Sequence, residues 1–219
     1  MHAMPYIGSL RHRRTWPVAW LLTSIMASSA IWASPETSAP APLASPPASA
    51  PSDADAGRAQ EDAQRALAAV KADYLYQFLG YVEFVKSSLP QPDTPLMIGV
   101  IGADDVFNAL ADILPLRTIN NRAVWRKRLA DGDSLAGVHL LFVGKKVDLA
   151  QNPLVKTARS SSILLVTDTP NGLNAGAIFN FIVSGEHLRF EASLEAADRA
   201  SLKISSRVLA LAEHVIGGR

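Results

Sequence analysis

The 219-residue sequence contains no cysteine, so no disulfide can staple the fold and the hydrophobic core must hold it alone. That is feasible at this size, because a domain of about 150 residues buries roughly 68–70% of its unfolded surface. Dense runs of basic residues are nearly absent, apart from Arg126–Lys127–Arg128, which reads as a solvated strand edge. A duplex nucleic-acid binder shows a basic patch, so nucleic acid is not an expected partner. The spacing for a dinucleotide or P-loop cradle is missing, as are the nucleophile-elbow and zinc-protease patterns. The five histidines are scattered, two of them within the first twelve residues. No acid–base or metal constellation emerges, and neither catalysis nor a cofactor is expected.

What is present begins with an asymmetric N-terminus. Arg11, Arg13 and Arg14 precede the apolar run WPVAWLLTSIMASSAIW, which small residues at Ser28, Ala30 and Ala33 close. The run is shorter than the roughly 20 residues a spanning helix needs, so residues 1–33 read as a cleaved secretory signal and the mature chain as periplasmic. Losing the three arginines leaves 18 basic against 20 acidic residues, a net charge of −2. Residues 34–58 are rich in Pro, Ala and Ser and have almost nothing large and apolar to bury, so they read as a disordered tether.

The domain is expected over 59–219. Leu67, Val70, Tyr74, Leu75, Phe78, Tyr81, Val82, Val85 and Leu89 recur at steps of three and four, predicting one amphipathic helix of about 28 residues. Its aromatic residues, Tyr74, Tyr76, Phe78, Tyr81 and Phe84, outnumber what one sheet face absorbs. Some of them therefore make a candidate protein–protein surface. PLMIGVIG is a buried strand, and Val106, Leu110 and Ile113 mark a helix whose positive end Asp104 and Asp105 suit. RAVWRKRL, GVHLLFVG and SILLVTD are further strands, with a helix at DLAQNPLVKTAR. Strands alternating with helices predict an α/β sandwich: a central, largely parallel but mixed sheet flanked by helices, Rossmann-like without the nucleotide-binding loop.

The stretch TDTPNGLNAGAIFNF (167–181) leaves the carboxyl end of a strand, where α/β folds bind ligands. No helix follows to hold a phosphate. GAIFNFIV and HLRFEASL instead form a hairpin, with Asn180 as the one polar residue among apolar neighbours. Its amide is expected to bond the backbone of the 167–176 loop, with Gly176 shaping that loop, and an Arg189–Glu191 surface pair is expected on the second strand. The C-terminal LKISSRVLALAEHVIGG reads as a helix capped by Ser205 or Ser206 and ended by Gly217 and Gly218.

VKADYLYQFLGYVEF, INNR, VHLLFVG, TDTPNG, GAIFNF and KISSRVLALAEHVI follow one another in an order that resembles the YfiR-like periplasmic proteins, across residues 68–216. The resemblance implies a non-enzymatic regulator that binds the periplasmic domain of an inner-membrane diguanylate cyclase (YfiN-like) and holds it inactive. Cyclic di-GMP and biofilm formation would then fall under its control. A YfiB-like outer-membrane lipoprotein is the implied antagonist, and a homodimer the further pairing considered. Val138 stands where relatives often have Cys, so disulfide control cannot operate. Motif positions carried over are Tyr74, Tyr76, Phe78, Glu83, Asp168, Asn180, Ser205, Ser206 and Arg207. The expected partner contacts are Tyr74, Phe78, Tyr81, Glu83, Asn171 and Asn174. The alternative function is a small-molecule sensor module for another membrane signalling protein, with the 168–180 loop as its pocket.

Overall fold

A computed structural model describes residues 53–217 except 86–88, 90, 92, 185 and 186. The expected signal segment and most of the tether lie outside the described residues. Helix α1 (Asp53–Tyr81) opens the domain six residues ahead of the expected Ala59 boundary, so the end of the expected tether is helical. Residues 54–67 are all exposed, and two sets of neighbouring charges one turn apart, Arg58 with Asp55 and Arg65 with Glu61 and Asp62, support that segment.

The helix also stops earlier than its hydrophobic spacing predicts. Gly80 weakens the last turn, and Val82–Glu83 leave it to form β1, which pairs antiparallel with β9 (Lys203–Ile204). Ser205 N–H donates to Tyr81 O at 2.9 Å and secures the crossing. Backbone pairing thus wins over continuation of the apolar stripe.

The main sheet is built from β2 (Leu96–Ile101), β3 (Thr118–Ile119), β4 (Arg122–Arg128), β5 (Leu140–Val143), β6 (Leu164–Thr167), β7 (Phe179–Ser184), β8 (His187–Ser193) and β10 (His214–Ile216). Its order is β10-β8-β7-β6-β5-β2-β4-β3. Only the β7–β8 and β3–β4 pairs are antiparallel, so the sheet is mixed and mostly parallel, as the sequence predicts. Strands β5 and β6 are buried along their whole length, the condition of a parallel sheet covered on both faces.

Alternation along β5 divides the core. Leu140 and Phe142 join the larger cluster beneath α1 and α2 (Asp104–Ile113), whereas Leu141 and Val143 join the smaller one beneath α3 (Pro153–Arg159). Helix α3 is shorter than DLAQNPLVKTAR suggested, because Asn152 caps it, accepting from Leu154 N at 2.9 Å and Val155 N at 3.4 Å. Asp104 and Asp105 lie in the first turn of α2, where their charge suits the helix dipole, although the N-cap residue is Ala103. The basic tripeptide is not simply solvated. Arg126 and Arg128 stack over the Phe107 ring at 4.0 and 4.5 Å, and Arg128 pairs with Asp104 at 2.9 Å.

The C-terminal segment corrects the single-helix reading. Helix α4 (Leu194–Arg199) precedes β9, α5 is only Ser206–Leu209, and His214–Ile216 become the edge strand β10 parallel to β8. The β8 edge has backbone groups to satisfy: Glu213 N–H donates to Phe190 O at 2.8 Å as the pairing begins. Leu211, expected on the buried stripe, is consequently 60% exposed. Ser205 does cap α5, accepting from Arg207 N at 3.3 Å.

Candidate functional site

The aromatic residues of α1 divide between core and surface. Phe78 is fully buried, stacked on Phe179 at 4.2 Å and edge-on to Phe190 at 5.0 Å. It is a core residue, not the surface contact expected of it. Tyr74 is half-buried beside Phe78, Phe181 and Phe190. Tyr76 donates to Thr118 O at 2.9 Å while Arg117 covers its ring. Tyr81 remains partly accessible and Glu83 is exposed.

Apart from Gly176, the remaining sequence-predicted residues fall into two concavities. One is a groove of about 890 Å³ at the β1–β9 crossing, where Tyr81, Glu83, Ser205, Ser206 and Arg207 meet. Arg122 and Lys203 also line it, so its walls carry three basic residues against one acidic residue.

The other is a cleft of about 660 Å³ between α1, the loop after β6 and the β7–β8 hairpin. Asp168, Asn171, Asn174 and Asn180 lie here, Asn171 and Asn174 exposed at its lip. The loop is a chain of tight turns closed by its own backbone. Gly172 N bonds Thr169 O at 3.0 Å, Gly176 N bonds Leu173 O at 2.9 Å, and Ala177 N bonds Gly172 O at 3.1 Å. Asn171 and Gly176 take positive φ angles of 59° and 92°. A Cβ at Gly176 would fall 2.6 Å from Arg159 Nε, so only glycine suits both the angle and the space.

Asn180 is 2% exposed. In one orientation its Nδ2 donates to Thr169 O at 3.1 Å and Thr167 O at 3.2 Å; in the other it makes a single 3.4 Å contact with Glu191 Oε2. Two shorter bonds to carbonyls that would otherwise face the amide oxygen decide for the first. Asn180 therefore ties the start of the loop to β7, the role its isolation in an apolar strand suggested.

The floor of the cleft holds an ion pair that sequence reading missed. Lys71 Nζ lies 2.6 Å from Asp168 Oδ2, with side chains 10% and 11% exposed. Asp168 Oδ1 is buried without a hydrogen-bond partner. Lys145 and Glu191 also line the cleft. Lys71 and Asp168 stand 97 residues apart and no periodicity could join them. Glu191 was legible in principle, because hairpin pairing from Ser184–His187 places it opposite Asn180. The expected Arg189–Glu191 pair does not form; Glu191 turns toward the cleft instead.

Among the described residues no helix is long and apolar enough to cross a membrane, and no group of three or more His, Asp or Glu is placed to hold a metal ion. A search of curated proteins finds no match. The family model described as YfiR/HmsC-like matches residues 68–213, from the buried turn of α1 to the residue before β10, covering the groove and all of the cleft lining except Leu67 and Ile216. The chain belongs to the YfiR/HmsC-like family.

Proposed function

We propose that this protein is a periplasmic, non-enzymatic regulator that represses an inner-membrane diguanylate cyclase by binding its periplasmic domain. The family match over nearly the whole folded domain carries this reading. The groove at the β1–β9 crossing supplies a surface suited to the role, with half-buried Tyr81 as an aromatic anchor and Arg122, Lys203 and Arg207 offering charge to an acidic partner segment. A stable complex of this kind needs an interface of about 800 Å² per partner, larger than the groove alone. Tyr74, Asn171 and Asn174 lie outside the groove, and the Asn residues would extend the contact only if the partner also covers the cleft lip. A YfiB-like lipoprotein would relieve repression by competing for the same surface.

Deleting the gene is expected to raise cyclic di-GMP and biofilm, and restoring the wild-type chain to reverse both. Unchanged cyclic di-GMP in the deletion strain would refute cyclase repression as the function of this protein.

A further inference from the structure

The exposed turns of α1 are sorted by face. At about 100° per residue, Asp55, Arg58, Glu61, Asp62 and Arg65 share one band of the helix, while Ala56, Ala59, Ala63, Leu67 and Val70 share another roughly 140° away. No charge interrupts the second band. It also lies off the side that Ala68, Ala72, Leu75 and Phe78 turn to the core.

The band runs into an uncovered strip of the sheet. Tyr74 packs on Phe181, and four residues of helix span about as far as two of strand, roughly 6 Å, so Val70 stands level with Val183. Val183 is 70% exposed, Val70 45% and Leu67 36%. Leu188, opposite Val183 in the hairpin, lines the same cleft mouth as Leu67 and Val183. Large apolar side chains exposed together, with charge confined to the far side of the helix, mark an interaction surface.

We propose that two copies of the chain pair through this surface, the exposed turns of each α1 lying antiparallel across the Leu67, Val70 and Val183 strip of the other. A two-fold axis at Ala63 sets Leu67 against the other copy's Ala59 and Val70 against the other copy's Ala56. Large side chains then meet small ones at both ends, and all five charges stay in water. Each copy carries both halves of the contact, the free helix face and the strip that lacks a cover. Helix contact over residues 56–70 is about 22 Å long, short of a standard interface, so the dimer is reversible. The residues before Ala68 precede the family match, and the pairing does not depend on cyclase repression.

Because the chain has no cysteine, a single introduced one reports on the pairing. Helix axes about 8–10 Å apart, each with a Cα radius of about 2.3 Å, bring facing Cα atoms within disulfide reach. On mild oxidation of the purified protein, Ala63→Cys is expected to give a linked dimer at least about tenfold faster than Arg65→Cys on the charged face, because pairing raises the local thiol concentration. In sedimentation, the wild-type mass should rise toward the dimer with concentration. Leu67→Glu should move that rise to at least about tenfold higher concentration, with an unchanged circular dichroism spectrum. Equal cross-linking at both positions, a wild-type chain that stays monomeric at every concentration, or a folded Leu67→Glu that dimerises like wild type would each overturn the proposal. If Leu67→Glu does not fold, Val183→Glu takes its place: the same shift is expected, and wild-type dimerisation would refute the surface.

Discussion

Replacing Lys71 by Met keeps the apolar stem of the side chain, one atom shorter, and removes the ammonium group that Asp168 faces. At 2.6 Å the two charges attract with a gross energy of about 6 kcal/mol at an effective dielectric constant near 20, most of it offset by the cost of taking both out of water. The net worth of the pair is therefore small. The cost of breaking it is not, because Asp168 Oδ2 would lose Lys71 as its donor beside an Oδ1 that already lacks one. Breaking a buried pair of this kind costs about 3–5 kcal/mol. With both side chains about one-tenth exposed, the lower half of that range is expected. The double variant Lys71→Met/Asp168→Leu removes the orphan together with the pair and should recover most of the loss. Urea unfolding followed by circular dichroism, with the slope unchanged between variants, measures all three differences. A single variant within about 1 kcal/mol of wild type, the value of an exposed pair, would show that water reaches the carboxylate and that the floor of the cleft is not dry.

Phe78→Ala empties the centre of the aromatic cluster and should cost about 3–5 kcal/mol, read as a fall in the urea midpoint. Gly172→Ala places a methyl group 2.6 Å from the Asn180 side-chain amide and against the Thr167 methyl group, so a loss of about 1–3 kcal/mol is expected from overpacking, again by urea unfolding. Tyr81→Glu should leave the circular dichroism spectrum intact, because Tyr81 is partly accessible, while weakening capture of the cyclase periplasmic domain in a binding assay; wild-type binding would exclude the groove as the interface.

Strands β2, β5 and β6 were legible because each is a short apolar run bounded by turn residues, and β5 and β6 are buried over their whole length. Helix α2 was legible from its three-and-four spacing. The errors cluster where pairing with a distant strand overrode local pattern. Val82–Glu83 and His214–Ile216 carry side chains compatible with helix or strand, and unfilled backbone groups on β9 and β8 settled the matter. Helix α4 was missed although Ser193 caps it, since it follows its strand with no intervening turn. At the cleft, Asn180 stood out because it is polar in an apolar strand. Lys71 sits with Ala68, Ala72 and Leu75 on the buried face of α1, a sign that it needs a partner, but nothing local says that the partner is Asp168.

Helix α1 is one continuous element with two mechanical regimes. Over residues 54–67 its exposed turns are sustained by their own hydrogen bonds, while from Ala68 onward Ala68, Ala72, Leu75 and Phe78 are locked into the core. A pull on the chain ahead of Asp53 travels along roughly 20 Å of freestanding helix before it meets resistance. It meets it at the turn that carries Lys71, so the load is delivered to the bond between Lys71 and Asp168 and to the loop that closes the cleft.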